Sequence, residues 1–317
     1  MNEIKVSVVC NAYNQEAYIR DALEGFVMQK TTFPFEVLVH DDASTDQTAE
    51  IIWEYEQKYP EIIKPIYETE NQYSKHDGSL GRIQYGRVQG DYIAICEGDD
   101  YWTDPLKLQK QFDVLESNPD VDICATAAKT EWNGEISGEV APSPQNVILS
   151  VEEVIRGGGG FVATASLMYR ASVRKNPPAF FQMMSMDYCI QIAGALRGGM
   201  MYLAESTCVY RLSTPGSWTA LTYSSIAAMN TLGEKLCAML QCLDEDTAGK
   251  YHSVISEVIK DHKFDRVVRD RDFKMICSPE YKTRFKALPI SHQCVVRLGQ
   301  HFPGAANFLW NLRQRLK

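Results

Sequence analysis

Short apolar runs alternating with amphipathic stretches restrict this chain to one broad architecture. Lys5 to Cys10 (with Val6, Val8 and Val9), Phe35 to His40, Ile62 to Tyr67 and Tyr92 to Cys96 read as strands. Between them, Gln15 to Gln29 places Ala22, Leu23 and Phe26 in an apolar stripe, and the stretch after Ser44 carries Ile51, Ile52 and Tyr55. Ser44 with Gln47 reads as a capping box for that second helix. Asp104 followed by Pro105 reads as an N-cap with proline at the first helical position, opening a helix to about Ser117. Strands alternating with helices predict an α/β fold with a mostly parallel sheet and right-handed crossovers.

In such sheets ligands sit beyond the carboxyl ends of the strands. Three polar clusters fall there: Asn11-Ala12-Tyr13-Asn14, Asp41-Asp42, and Glu97-Gly98-Asp99-Asp100. One cluster alone is explained by loop solvation; three at successive strand ends point to a shared pocket. Carboxylates crowded at a strand end repel one another unless a cation sits among them. Mg²⁺ and Mn²⁺ prefer oxygen ligands and often bind through one or two carboxylates plus substrate phosphates. The local reading is therefore a metal–diphosphate site; the competing reading is an acidic turn that caps the next helix.

The middle of the chain is less regular. Pro142, Pro144 and Gly157-Gly158-Gly159-Gly160 mark loops. The glycine run either lets the backbone approach a ligand closely or forms a flexible lid. Thr164 to Tyr169 reads as a strand, and Met200 to Leu203 and Val209 to Leu212 as two short ones. Asp187 opens an amphipathic helix to about Arg197 with Ile190, Ala193 and Leu196 on one face; as a residue alone it is a helix N-terminal charge favoured by the macrodipole. From Tyr223 the pattern turns helical, near Ser225 to Leu243 and Lys250 to Arg271, then is broken by Pro279, Pro289 and Pro303. The expected division is residues 1–222 as a binding and catalytic domain and 223–317 as a helical C-terminal region.

Composition narrows the function classes. At 317 residues and 45% hydrophobic, the chain is long enough for a sizeable core. A net charge of −9 argues against a nucleic-acid partner. Nine cysteines, an odd number without a repeated CxxC, suggest reduced thiols in a cytosolic compartment rather than a disulfide framework or zinc site. The six histidines show no metal-ligand spacing. No apolar stretch reaches the ~18 to 20 residues of a membrane span, and Met1 to Lys5 lacks a signal-peptide pattern, so a cytoplasmic protein is expected. The charge is uneven, however. After Glu280 there is no acid, while Lys282, Arg284, Lys286, Arg297, Arg313, Arg315 and Lys317 follow. Ala305 to Lys317 also sets Phe308, Leu309, Leu312 and Leu316 on one helical face. Such a segment either lies on the anionic inner face of the plasma membrane or packs on the catalytic domain with a solvated basic face.

Four segments together carry a family resemblance: Val6-Ser7-Val8-Val9-Cys10-Asn11-Ala12-Tyr13-Asn14, Val39-His40-Asp41-Asp42-Ala43-Ser44-Thr45-Asp46, Gly90-Asp91-Tyr92-Ile93-Ala94, and Glu97-Gly98-Asp99-Asp100-Tyr101-Trp102. In order and spacing the chain resembles family 2 glycosyltransferases of the GT-A fold, and the likeness continues into Asp187 and Tyr210-Arg211. The resemblance implies an inverting transfer of a sugar from a nucleoside diphosphate donor, usually UDP-linked, to a glycan or lipid-linked acceptor in surface polysaccharide assembly, with Mn²⁺ or Mg²⁺ as cofactor. It implies that Tyr13 stacks on the base beside Asn11, that Asp41 contacts the base with Asp42 next to it, and that Glu97 and Asp99 stand at the two acid positions of the Asp-Xaa-Asp motif, with Asp100 adjoining. Asp99 would hold the metal, with Glu97 and Asp100 as further candidate ligands, Asp187 resembles the catalytic base, and Arg211 matches a basic position near the diphosphate. The chain departs from the pattern in having Glu97 for the commoner Asp, in a longer Asn71 to Arg82 segment, where the resemblance would give Arg82 a phosphate contact, and in Met186 before the proposed base. Trp218 and Gly159 are candidates for the acceptor side, Trp218 being equally suited to loop packing. The alternative is a non-catalytic nucleotide-sugar-binding scaffold on the same frame.

Overall fold

The computed structural model describes residues 3–175, 177–184, 186–212 and 214–314. The chain divides into two compact units, Met1–Pro215 and Gly216–Lys317. The strands of the first unit are β1 Val6–Ala12, β2 Phe35–Asp41, β3 Ile63–Tyr67, β4 Tyr92–Ile95, β5 Tyr101–Trp102, β6 Ile123–Trp132, β7 Glu135–Val140, β8 Val147–Leu149, β9 Met168–Arg170 and β10 Met200–Arg211. They form one sheet in the order β3-β2-β1-β4-β9-β6-β10-β5, with β7 added to β6 and β8 to β10. β1 is parallel to β2 and β4, and β2 to β3. β9 is antiparallel to both β4 and β6, and β6 is parallel to β10. The carboxyl ends of β1, β2, β4, β6 and β10 therefore lie along one edge.

β1, β2 and β4 are buried almost throughout, as parallel strands covered on both faces are. The helices Ile19–Val27, Thr48–Lys58 and Lys107–Ser117 pack on one face, where Phe26, Ile52 and Leu108 meet Val6, Val8 and Cys10. Behind the strands, the Ser7 hydroxyl donates to Glu36 (2.6 Å) and accepts from the Gly90 N–H (2.9 Å), so the turn into β4 presses onto β1.

Several local expectations change. No capping box forms at Ser44: the helix Thr48–Lys58 has Gln47 at its N-cap without a side-chain cap. Asp46 accepts from the Thr48 N–H (2.9 Å), while the Ser44 hydroxyl is drawn away to the Asn14 N–H (2.9 Å). Asp104 accepts from the Leu106 N–H (2.9 Å) in a turn, and the helix itself begins at Lys107. Thr164–Ser166 is a 3₁₀ turn, and only Met168–Arg170 joins the sheet. The two short strands after Met200 are one long strand with register shifts between Leu203 and Cys208. The β6–β7 hairpin turns at Asn133 (φ 51) and Gly134 (φ 80), the conformation that Asn-Gly favours between paired strands. A capping box does occur at Ser150–Glu153, opening the helix Val151–Gly157.

The second unit is helical, with long helices Ile226–Asp246 and His252–Arg269 and shorter ones ending in Ile290–Gly299 and Pro303–Gln314. Its core gathers Phe264, Phe273, Ile276, Phe285, Val296 and Trp310. Arg315, Leu316 and Lys317 lie outside the described residues, as do the side chains of Arg313 and Trp218. No helix among the described residues is long and apolar enough to cross a membrane.

A Cβ on Gly90 would lie 2.6 Å from Ser7 N, 2.8 Å from Val6 C and 3.0 Å from Lys5 O, all main-chain atoms that cannot swing aside. Gly90→Ala is expected to lower stability by about 1–3 kcal/mol, read as a lower urea midpoint at unchanged slope.

Candidate active site

The loops after β1 and β2 are stitched together before any ligand arrives. Asn14, held at φ 51, accepts from the Thr45 N–H (2.8 Å). The Gln15 N–H donates to Thr48 Oγ1 (2.7 Å), and the Gln47 N–H to Glu16 (2.9 Å). This leaves the Tyr13 ring 47% exposed at the lip of the edge. Asp41, at the end of β2, is buried, and its Oδ1 has no hydrogen-bond partner. Burial pushes its pKa up, and Ser44 offsets part of that.

Asp42 has a different occupation. Its two carboxylate oxygens accept from the Gln72 N–H (2.6 Å) and the Tyr73 N–H (2.9 Å), capping the 3₁₀ turn Tyr73–Lys75. Asp42 thus fixes the long segment that the sequence singled out. Arg82, on the helix Ser79–Tyr85, donates to the Asp77 carbonyl (2.5 Å) and is well exposed. From the same helix, buried Gln84 donates to the carbonyls of Cys10 (3.1 Å) and Leu38 (2.6 Å), clamping it over β1 and β2.

The acid turn follows β4. The Gly98 N–H donates to the Asn11 carbonyl (2.9 Å). A Cβ on Gly98 would stand 2.4 Å from Gln15 Oε1 and 2.9 Å from Ile19 Cδ1, which is why glycine sits between the acids. Asn11 Nδ2 lies 3.5 Å from Glu97 Oε1. Burial raises the Glu97 pKa to about 7, with further contributions from the charges of Asp99 and Asp187. Asp187, 90 residues away in sequence (187 − 97), therefore shares the electrostatic neighbourhood of the acid turn.

Asp99 accepts from Thr214 Oγ1 (2.6 Å). Buried Asp100 accepts from the Arg211 N–H (2.8 Å). The Arg211 guanidinium donates to Glu131 (2.9 Å), Asp21 (2.5 Å) and the Asp99 carbonyl (3.1 Å), and it packs 4.4 Å from the Tyr101 ring centre. Arg211 and Asp100 hold the turn from behind, and a diphosphate contact by Arg211 would require it to release one of these acceptors.

Asp187 opens the helix Asp187–Ala195. One carboxylate oxygen accepts from Thr164 Oγ1, the other from the Tyr188 N–H (2.8 Å). Burial raises its pKa, and these two donors work against the rise. A Cβ on Gly159 would lie 3.8 Å from Asp187 Oδ1, and Gln191 Nε2 donates to the Gly159 carbonyl (3.0 Å), so the glycine run lies against this carboxylate. Thr164, Thr214 and Gln191 were not singled out by sequence, because a lone hydroxyl or amide carries no spacing signal.

Among the described residues no three His, Cys, Asp or Glu side chains converge into a metal cage. Glu97 and Asp99 are adjacent oxygen donors at the substrate edge, and a hard cation completed by phosphate oxygens and water asks for no more from the protein.

The family model for glycosyl transferase family 2 matches residues 7–159. An uncharacterised protein of Mycobacterium tuberculosis is 36% identical over 240 residues, 75% of this chain and 67% of that protein. The chain belongs to glycosyltransferase family 2. In fold, this glycosyltransferase is similar to Staphylococcus aureus TarS 1-349 in complex with UDP, with TM-score 0.59 and 17% identity over 96% of this chain and 83% of that one. It is also similar to a mannosyltransferase of Pyrobaculum calidifontis in complex with GDP-Man and Mn²⁺, with TM-score 0.53 and 12% identity over 95% of this chain and 82% of that one. The curled, mostly parallel sheet flanked by helices is thus the GT-A arrangement.

Glu97 holds its proton more tightly in the folded glycosyltransferase than in the unfolded chain, so stability falls as pH rises from 4.5 through about 7. Glu97→Gln removes that penalty. The ligand-free variant is expected to be about 1–2 kcal/mol more stable than wild type at pH 8 and to gain nothing at pH 4. Denaturant melts across this range check it; a difference independent of pH would contradict the assignment.

Proposed function

We propose that this glycosyltransferase moves a sugar from a UDP-linked donor to a hydroxyl of a glycan or lipid-linked saccharide, with inversion, during surface polysaccharide assembly in the cytoplasm. What supports the reading is that the charges of Asp99 and Asp187 both add to burial in raising the pKa of Glu97. Two stretches far apart in sequence, the acid turn and the start of the helix at Asp187, thereby share one electrostatic neighbourhood.

The roles follow from that geometry. Exposed Tyr13 stacks on the base, since every nucleobase offers a π-face. The unpartnered Oδ1 of Asp41 accepts a base N–H, which removes the cost of leaving a buried acceptor unpaired. Asn11 orients Glu97, and Glu97 and Asp99 would hold Mn²⁺ or Mg²⁺, which supplies charge neutralisation for the departing diphosphate. Asp187 takes the proton from the acceptor hydroxyl as that oxygen displaces the diphosphate at the anomeric carbon. The Thr164 hydroxyl and the Tyr188 N–H keep the Asp187 carboxylate oriented and favour its charged form. A single displacement needs no covalent nucleophile. Gly159, beside Asp187, leaves room for the acceptor.

Calorimetry with UDP and Mn²⁺, run beside a transfer assay with the UDP-sugar found by thermal-shift screening, separates these roles. Asp99→Ala is expected to weaken UDP–Mn²⁺ binding at least 10-fold. Asp187→Asn should keep UDP–Mn²⁺ affinity within about 2-fold while turnover falls by 10²-fold or more, the scale of general-base catalysis. Transfer at the wild-type rate by Asp187→Asn would refute its role as base.

A further inference from the structure

We propose that the C-terminal unit docks on an anionic lipid surface through the outward face of its last helix. That helix, Pro303–Gln314, buries Ala306 and Trp310 in the core of the unit. Its opposite side carries Phe308 (68% exposed), Leu309 (38%) and Leu312 (46%), and Phe302 (63%) stands just before it. A helix on a globular surface ordinarily turns polar side chains outward; here the outward face is the apolar one. The helix's asparagines do not relieve this. Asn307 and Asn311 are engaged by Arg271 at 3.3 and 2.7 Å. From Phe302 to Leu312 the chain contains no ionisable side chain.

Charge decides between lipid and a second copy of the chain as the cover for this face. Beyond Glu280 every Asp, Glu, Lys or Arg position is a Lys or Arg, seven in all, in a protein of net charge −9. Arg284 is spent on Glu257 and Asp261. Lys282 and Lys286 are exposed, and Arg313, Arg315 and Lys317 follow the apolar stretch in sequence. Pairing two copies would bring like charges together, whereas anionic headgroups beside a shallow apolar insertion satisfy both features. The surface lies in the unit that does not contain the acid turn, so the inference stands independently of the donor and acceptor readings.

Flotation of the full chain with phosphatidylcholine vesicles, with and without 30% phosphatidylglycerol, tests it. Wild type is expected to float with the anionic vesicles, at least 10-fold less with the neutral ones, and to be released by 0.5 M salt. The double variant Phe308→Ser with Leu312→Ser should lose at least 10-fold in bound fraction with an unchanged thermal melt, since both side chains are exposed in the wild type. Lys282→Glu with Lys286→Glu, which leaves the apolar face intact, should lose several-fold. Failure of wild type to float with anionic vesicles overturns the proposal. So does equal flotation of the Phe308/Leu312 variant, or light scattering that shows a dimer which this variant converts to monomer without any vesicle binding.

Discussion

The acid turn after β4 is the constraint on which the rest depends. Glu97, Asp99 and Asp100 crowd around one glycine at the end of a buried strand, an arrangement that repels itself in the absence of a cation. The protein tolerates it by dividing the acids between two tasks. Asp100 turns inward to the Arg211 main chain, and the Arg211 guanidinium closes the turn from behind through the Asp99 carbonyl, Glu131 and Asp21. Glu97 and Asp99 are left half-buried at the carboxyl end of the sheet, Asp99 accepting from Thr214. The elevated pKa of Glu97 records the strain that remains. A site built this way is less stable empty than filled, the usual trade between stability and function.

Much of the first unit was legible because its signals are local. Runs such as Val6 to Cys10 and Tyr92 to Cys96 are apolar over their whole length, and the polar clusters that end them sit where parallel sheets bind ligands. What was not legible depended on competition between loops. Ser44 and Gln47 have the spacing of a capping box, yet the Asn14 N–H takes the hydroxyl. Asp42 stands beside Asp41 in sequence and points to a different partner, because alternate residues at a strand end face opposite ways. The β6–β7 hairpin announced itself through Asn133-Gly134, a signal that went unused among the exposed residues around it.

The candidate site shows the same division. Residues carrying charge at motif spacing could be named in advance, and Asp187 proved to share the neighbourhood of Glu97. The residues that aim them could not. Thr164 reaches Asp187 across 23 positions, and Thr214 reaches Asp99 across 115. In sequence, neither hydroxyl differs from that of any other threonine. Arg211 was read for its charge, and the structure occupies that charge with Glu131 and Asp21. Supporting contacts of this kind are properties of the fold, visible only when distant segments are brought together.

The Gln84 clamp has an evolutionary corollary. It grips main-chain oxygens of two neighbouring strands rather than their side chains. Cys10 and Leu38 can therefore be exchanged for other residues without loosening the grip. Together with Asp42, which likewise seizes backbone N–H groups, it fastens both ends of the segment between Gln72 and Gln84 to the strands. Side chains between these two fixed points can then change while the strands beneath keep their shape.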